Sequence, residues 1–118
     1  MADKDILGRS GEQLAARFLE ADGYRIVGRN WRGTRGELDI IAELGDTTVF
    51  VEVKTRSGLA FGHPFDALTP KKIAALRRLA AEWCRAHAGA RPQIRLDVIG
   101  IIGGREAPAR IEHLRGIG

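Results

Sequence analysis

The sequence predicts an α/β protein with a mixed central sheet flanked by helices, and three observations favour this fold class. Two segments repeat apolar residues with the 3.6-residue period of amphipathic helices. Between them, two apolar segments flank Gly45-Asp46, a two-residue hairpin signal. A further apolar segment follows the second helix, and a strand reached through a helix pairs in parallel with its neighbour. The predicted element order is α-β-β-β-α-β-β.

The 118-residue chain fits one domain, residues 1–118, and its apolar content is sufficient for a single core. Its one cysteine, Cys84, provides neither a disulfide framework nor a thiolate zinc cluster. The N-terminal residues mix charges and lack the apolar segment of a signal peptide. No segment approaches the roughly 20 apolar residues of a membrane span. We therefore expect a cytoplasmic protein with no membrane partner.

The charge of the chain hints at a polyanionic partner without identifying one. The formal net charge is +4, and 15 of the 19 cationic side chains are arginine. The planar guanidinium group donates paired hydrogen bonds to phosphate oxygens. A charge of +4 is modest, however, and a high genomic GC content also enriches arginine. Charge alone therefore leaves nucleic-acid binding open.

The first helix is predicted over residues 5–22 and should end at Gly23, because glycine is favoured just after a helix C-terminus. Residues 24–31 predict a first strand, with Tyr24, Ile26 and Gly28 alternating against Arg25, Val27 and Arg29. The two hairpin strands are expected over residues 37–44 and 47–55. A loop with several glycines follows the hairpin.

Thr69 is predicted to cap a second helix that begins at Pro70, a residue favoured in the first turn, and continues to about residue 88. The side chains expected to be buried are Ile73, Leu76, Leu79, Ala80 and Trp83, and those expected to face outward are Lys71, Lys72, Arg78 and Arg85. Residues 94–102 and 109–114 predict a fourth and a fifth strand. Within the fourth strand, Asp97 is expected to be a structural partner of Arg95.

The hairpin is the part of the chain with a chemical signal. If Gly45 and Asp46 form the turn, facing residues have numbers that sum to 91. One face is then wholly apolar and should belong to the core; it comprises Leu38, Ile40, Ala42, Val49, Val51 and Val53. On the other face Glu37 lies opposite Lys54, Asp39 opposite Glu52, and Ile41 opposite Phe50.

Asp39 and Glu52 are an unusual cross-strand pair, because like charges about 5 Å apart disfavour each other. Two carboxylates aimed at one point suit a divalent cation, and hard oxygen ligands suit Mg²⁺ or Mn²⁺. The Val53 carbonyl is a candidate third ligand. Lys54, on the same face, is placed to stabilise charge on a phosphate or to orient a water. The alternative is a solvated sheet face that carries mixed charges.

Asp39, followed on the next strand by Glu52-Val53-Lys54, resembles the PD-(D/E)xK nuclease superfamily, although Leu38 stands where the motif has proline. More closely, the chain resembles the YraN family, small bacterial proteins related to archaeal Holliday-junction resolvases. The matching segments cover nearly all of residues 8–100. They are Gly8-x-x-Gly11-Glu12-x-x-Ala15, Asn30-Trp31, Gly36-Glu37-Leu38-Asp39-Ile40-Ile41, Val49-Phe50-Val51-Glu52-Val53-Lys54-Thr55-Arg56, Phe61-Gly62-x-Pro64, Lys71 or Lys72, and Leu96-Asp97-Val98.

This resemblance implies a restriction-endonuclease-like αβββαβ core. It makes Asp39 and Glu52 metal ligands and Lys54 the catalytic lysine, and it adds Glu12 as a further acidic group from the first helix. Taken by itself, Glu12 is more simply an acidic side chain near the start of a helix, where the dipole favours it. Glu37 either positions Lys54 or lies outside the metal site.

Candidate DNA contacts lie before the hairpin, just beyond its second strand and at the start of the second helix. They are Arg29, Trp31, Arg32, Arg35, Arg56, Lys71 and Lys72. Cationic side chains bind phosphates, and Trp31 can stack on a base. The alternative is a strand edge kept soluble by arginine, with Trp31 in the core. Arg56, next to Lys54 in space, is the best placed to reach a scissile phosphate.

The sequence thus predicts a Mg²⁺- or Mn²⁺-dependent DNA endonuclease that acts on branched, recombination or repair DNA. The alternative is a DNA-binding protein that keeps the nuclease fold with little activity and works within a repair or uptake complex. Resolvase relatives are dimers, so the analogy adds a homodimer, and repair or recombination proteins, to the expected partners. A scaffold without nucleic acid is disfavoured, because Asp39, Glu52 and Lys54 are all present.

Overall fold

The computed structural model describes residues 2–60, 62–103 and 108–118, with side chains from residue 10 onward. The elements are α1 (Ala2–Ala21), β1 (Arg25–Arg32), β2 (Glu37–Leu44), β3 (Thr47–Arg56), the short 3-10 helix η1 (Pro64–Ala67), α2 (Pro70–Ala86), β4 (Gln93–Ile102) and β5 (Arg110–Arg115). The predicted element order is confirmed, and η1 is the one addition within the predicted loop. Phe61, part of the resemblance described above, lies outside the described residues.

The five strands form one sheet in the order β1-β2-β3-β4-β5. Neighbouring strands are antiparallel except for β3 and β4, which are parallel and are connected through α2. This arrangement confirms the predicted mixed sheet and is consistent with a restriction-endonuclease-like core. None of the helices in the described ranges combines the length and the apolarity needed to cross a membrane.

Each helix covers one face of the sheet and creates its own apolar layer. The layer beneath α1 contains Ala15, Ala16, Leu19, Tyr24, Ile40, Ala42, Val49, Val51, Ile99 and Ile101. The layer beneath α2 contains Leu38, Ile41, Phe50, Leu76, Leu79, Ala80, Trp83 and Leu96. Both faces of the hairpin are therefore buried over most of its length. Polar side chains lie together at the end of the hairpin that is farthest from the turn.

The start of α2 follows the predicted capping pattern. The Thr69 hydroxyl accepts a hydrogen bond from the Lys72 backbone N–H at 3.1 Å, and Pro70 occupies the first turn. The predicted apolar stripe is buried, with Ile73 only half-buried. One orientation was wrong: Lys72 was expected to face outward with its neighbours, but its side chain turns toward the sheet and contacts Glu52.

The predicted hairpin register is confirmed for five pairs, from Leu44 with Thr47 at the turn to Ile40 with Val51. Beyond these pairs the ladder ends, so the expected pairing of Glu37 with Lys54, and of Asp39 with Glu52 as ladder partners, was wrong. The reason is a side chain: the Asp39 carboxylate accepts the Val53 backbone N–H at 2.8 Å, where a ladder bond would otherwise form.

Where the ladder ends, the side chains of β2 no longer alternate between the two layers as the register predicts. Leu38, expected in the same layer as Ile40, instead packs in the layer beneath α2, opposite Trp31 of β1. Between Arg29 and Trp31, which pair with β2, Asn30 adopts a left-handed backbone conformation with φ +51°. Asparagine tolerates this conformation better than most residues. The distortion of both strands brings polar side chains together at this end of the hairpin.

Candidate active site

Asp39 and Glu52 meet where β2 and β3 separate, and each is largely removed from water. Only 5% of the Glu52 side-chain surface is exposed. Burial and the negative charge of Glu52 raise the pKa of Asp39 to about 8. A side-chain hydrogen bond between Asp39 and Glu52 adds to this rise. The Val53 N–H that binds Asp39 opposes this rise without cancelling it. The two carboxylates therefore resist simultaneous ionisation, as predicted for facing acids, although they meet through side chains rather than through the ladder.

Lys72 provides a cation to this acidic pair. Its Nζ lies 3.0 Å from Glu52 Oε2, and 39% of the Lys72 side-chain surface is exposed. Helix geometry explains the contact, because Lys72 is four and seven residues before Leu76 and Leu79 and so shares their inward face. The same spacing is visible in the sequence, and it could have placed Lys72 on the inner face of the helix.

Glu12 of α1 reaches the same region from the other side of the sheet. With its NH2 group turned toward them, the Asn30 amide donates to Glu12 Oε1 at 2.8 Å and to Glu37 Oε1 at 3.1 Å. Burial raises the pKa of Glu12, the bond from Asn30 opposes the rise, and Glu37 and Glu52 add to it. The resemblance placed Glu12 near the acids, and the structure brings it into their electrostatic range.

The approach of α1 depends on a glycine. A Cβ on Gly11 would overlap the Thr55 side chain on β3, so a larger residue would hold the helix away from the sheet. Because Glu12 follows Gly11, this close contact sets how near Glu12 comes to the hairpin. Asn30 is the site residue whose role the sequence reasoning did not assign, although Asn30-Trp31 was among the matching segments.

Lys54 follows Glu52 by two residues and therefore projects from the same face of β3. It is half-buried, and no ion pair to it occurs among the described residues. Its neighbour on β4 is Gly100, where a Cβ would lie 3.0 Å from Pro64 and 3.1 Å from Phe65. The short helix η1 thus packs against β4 beside Lys54 and forms one wall of the site.

His63 connects η1 to β5. Its Nδ1 accepts the Phe65 backbone N–H at 3.1 Å, while its Nε2 lies 2.8 Å from Glu112 Oε2 on β5. Asp66 accepts the His63 backbone N–H at 3.0 Å and completes a capping box at the start of η1. These contacts fix the loop between β3 and α2 to the edge of the sheet.

The candidate DNA contacts occupy different surroundings. Arg29 donates to Gln13 Oε1 at 2.7 Å, and Arg32 lies 3.6 Å from Glu37 in an exposed ion pair. Arg56 donates to the Thr55 carbonyl at 3.2 Å. Trp31 packs against the layer beneath α2, with its ring centroid 6.1 Å from that of His87. This is the packing that the core alternative for Trp31 predicts.

The remaining candidates, Arg35 and Lys71, are exposed. Arg35 lies in the loop between β1 and β2, against the outer side of α2, and Lys71 lies in the first turn of that helix. Of the two adjacent lysines that the resemblance left as alternatives, only Lys72 contacts the acids. The structure therefore separates one lysine at the acidic site from a second that faces solvent.

The donor chemistry of the site fits a hard divalent cation. Within the described ranges, no group of three or more His, Cys, Asp or Glu side chains is placed to hold a metal. Mg²⁺, however, keeps several waters and commonly takes only one or two carboxylates from the protein. Asp39 and Glu52 provide those two, and a cation between them would relieve the repulsion that raises the pKa of Asp39.

Comparisons with known proteins give one consistent result. Residues 11–101 match the model of a family described as "Uncharacterised protein family UPF0102". The chain is 55% identical over 117 residues to a UPF0102 protein of Leifsonia xyli subsp. xyli, covering 99% of both chains. It is 53% identical over 118 residues to one of Beutenbergia cavernae, covering all of both chains, and 47% identical over 116 residues to one of Frankia casuarinae, covering 98% of both. The names of these relatives state a family and no reaction.

Proposed function

The chain belongs to the UPF0102 family, the YraN family that its sequence resembles, and from this premise we propose that it is a metal-dependent nuclease that hydrolyses phosphodiester bonds in DNA. One observation carries the proposal: a buried pair of acids, Asp39 and Glu52, lies beside two lysines from different elements. A structural carboxylate gains nothing from a second carboxylate beside it, whereas a divalent cation bound between two carboxylates offsets their repulsion.

In this proposal Asp39 and Glu52 hold Mg²⁺ or Mn²⁺, with the Val53 carbonyl as the third ligand. When bound, the cation supplies a polarised phosphate oxygen and a water of lowered pKa. Lys54 on the same face as Glu52 then stabilises the growing negative charge on the phosphate or orients the water. Glu12, whose pKa is raised by burial, is a candidate proton acceptor beside these acids.

Lys72 has a separate role in the proposed site. It neutralises Glu52 before a cation arrives, and the cation then competes with it for the same carboxylate oxygens. Once released, its ammonium group remains within reach of an anionic substrate. Lys72 is therefore a positioning residue that provides Glu52 with an ion-pair partner in the metal-free site.

The experiment is hydrolysis of labelled linear, flapped and four-way branched DNA with Mg²⁺ or Mn²⁺. Glu52→Ala and Lys54→Ala should each reduce the rate by roughly 100-fold or more, because they remove a metal ligand and the charge-stabilising cation. Glu20→Ala and Arg17→Ala, which change an exposed acid and an exposed cationic side chain of α1, are the matched controls and should cleave at the wild-type rate. Hydrolysis that persists in excess chelator would contradict the metal mechanism.

A second candidate is a DNA-binding protein without hydrolytic activity, and the Lys72–Glu52 contact favours it. A buried carboxylate that already has a cation at 3.0 Å is electrostatically satisfied without metal. This candidate predicts salt-dependent binding to DNA, no cleavage of any substrate in Mn²⁺, and no loss of binding on Glu52→Ala. Cleavage by the wild type that Glu52→Ala abolishes would exclude it.

A further inference from the structure

A second polar region lies on α2 and the loop between β1 and β2, apart from the acidic pair. There the outer surface of α2 and the loop between β1 and β2 enclose an open cavity of about 340 Å³, a size typical of small-ligand sites. The polar side chains of its lining are Thr34, Arg35, Arg78, Glu82 and Arg85. Three of these five are arginines, which gives the cavity a cationic lining.

The three arginines lack the partners that other arginines of this protein have. Arg95 is paired with buried Asp97 at 2.8 Å, and Arg25 with Glu43. Across the described part of the chain, by contrast, no carboxylate lies within ion-pair distance of Arg35, Arg78 or Arg85. Cations that converge on a cavity without a partner repel one another, and an anion in the cavity would relieve this repulsion.

The one acid that lines the cavity, Glu82, uses both carboxylate oxygens to bind Thr34 within the same lining. Glu82 Oε1 accepts the Thr34 backbone N–H at 2.6 Å, and Oε2 accepts the Thr34 hydroxyl. These bonds lower the pKa of Glu82, the positive charge of Arg85 adds to the decrease, and the bonds attach the loop between β1 and β2 to α2. Gly33 makes the attachment feasible, because a Cβ there would overlap the side chains of Glu82 and Leu79. Glu82 therefore holds Arg35 over the cavity while its own oxygens are occupied.

The spacing of the arginines along α2 is regular. Ala75, Arg78, Glu82 and Arg85 are separated by three, four and three residues and so share one face of the helix. Arg78 and Arg85 lie six and thirteen residues beyond Lys72, which corresponds to about 9 and 20 Å along the helix axis. The arginines of α2 therefore lie at increasing distances from the acidic site along the helix axis.

We infer that Arg35, Arg78 and Arg85 form a binding site for the sugar–phosphate backbone of DNA, remote from the reacting phosphate. The inference rests on the proposed function and identifies where the substrate duplex would lie. At roughly 3.4 Å per base pair, these arginines contact phosphates about three to six base pairs from the acidic site. Guanidinium groups suit this task because their donors match pairs of phosphate oxygens.

The test is the salt dependence of binding to a labelled 20-base-pair duplex, measured by fluorescence anisotropy without divalent metal. Removal of one arginine–phosphate interaction should reduce the slope of log Kobs against log[salt] by about one unit. Arg78→Ala and Arg85→Ala should each show this decrease, and the double variant about twice as much. Arg17→Ala on α1, an exposed helical arginine on the opposite side of the sheet, is the matched control and should keep the wild-type slope.

A kinetic measurement separates this site from the chemical one. In Mn²⁺ the double variant should raise KM for DNA and leave kcat unchanged, because these arginines do not touch the reacting atoms. A wild type that binds and cleaves DNA, with a double variant whose slope equals that of Arg17→Ala, would overturn the inference and leave the proposed function intact. A wild type that neither cleaves DNA nor binds it with a salt-dependent affinity would overturn the proposed function and the inference together.

Discussion

Asp39 and Asp97 are two aspartates of one sheet that differ in the charges around them. Asp97 is completely buried, and burial alone would raise its pKa, but bonds from His113, Arg95 and the Gly116 N–H outweigh burial and lower it. Asp39, beside Glu52, receives one backbone bond and has its pKa raised to about 8. The comparison teaches that burial of a carboxylate is compatible with either a structural or a chemical role, and that its partners decide between them.

The Asp97 cluster connects β4 to β5, to Gly116 after β5 and to Tyr24 before β1. Asp97 Oδ1 accepts from Arg95 Nε at 2.8 Å and from the Gly116 N–H at 3.1 Å, and Oδ2 lies 2.7 Å from His113 Nε2. Arg95 also donates to the Tyr24 hydroxyl at 2.6 Å, which connects β4 to the layer beneath α1. The interactions join three segments that are distant in the sequence, as the predicted structural role of Asp97 requires.

The largest stability effect should come from breaking this structural cluster. Asp97→Ala leaves Arg95 and His113 without their buried anion and should lower the free energy of unfolding by about 3 kcal/mol. Asp22→Ala, which removes the exposed partner of Arg115, is the matched control and should cost at most about 1 kcal/mol. Urea denaturation of both variants provides the measurement. Equal costs would mean that the Asp97 network contributes no more than a surface ion pair.

The second prediction concerns the response to metal. A cation that binds only the folded state stabilises it by about 2.7 kcal/mol at a hundredfold excess over its Kd. Millimolar Mn²⁺ should therefore raise the Tm of the wild type, and Asp39→Asn should abolish most of the rise. Glu43→Gln, a change at a buried acid paired with Arg25 and Arg91, should keep the full rise. Parallel shifts in all three proteins would show that Asp39 does not hold the cation.

The sequence was sufficient to predict the elements and the register, because periodicity and a two-residue turn determine both. The five pairs from Leu44 with Thr47 to Ile40 with Val51 follow from Gly45-Asp46 alone. The contact of Asp39 with the Val53 N–H could not be predicted in this way, because a side chain that replaces a ladder bond breaks the rule on which the register depends. The orientation of Leu38 was wrong for the same reason.

Contacts between distant elements were the least accessible to sequence reasoning. Asn30, which bonds to Glu12 and Glu37, has a left-handed backbone conformation that no periodic pattern signals. Lys72 is different, since its spacing from Leu76 and Leu79 placed it on the inner face of α2. A charged residue at the end of an apolar stripe was assigned to solvent because of its residue type, although its position indicated the opposite.

A smaller effect should follow from removing the cation beside Glu52. Lys72→Met keeps the aliphatic stem but removes the ammonium group, so Glu52 remains buried without its ion-pair partner. We expect a loss of roughly 1 to 2 kcal/mol in the metal-free protein, less than for a fully buried pair because the Lys72 side chain is partly exposed. Saturating Mn²⁺ should restore most of this loss. Thermal denaturation with and without Mn²⁺ checks both parts, and a loss that Mn²⁺ leaves unchanged would mean that Lys72 and the cation do not compete.

The smallest effect is expected for Asp39→Asn in the metal-free protein near pH 7. With a pKa of about 8, Asp39 is mostly protonated at this pH, and asparagine resembles that neutral form while its side-chain oxygen can still accept the Val53 N–H. The free energy of unfolding should therefore change by no more than about 1 kcal/mol.

The stability of Asp39→Asn and of the wild type should depend differently on pH. A raised pKa means that the folded state holds a proton that the unfolded chain has released, so the wild type should lose stability from about pH 4 to pH 8 and no further above that. Asp39→Asn lacks this proton and should be more stable than the wild type at pH 9. The effect of Asp97 on the free energy of unfolding changes with pH in the opposite direction. Its lowered pKa contributes stability above pH 4, and this stability is lost as the pH falls further. Urea denaturation at pH 5, 7 and 9 tests the predicted loss of stability with rising pH. If the difference in unfolding free energy between Asp39→Asn and the wild type stays constant over this range, Asp39 is already ionised at pH 5 and Glu52 does not raise its pKa.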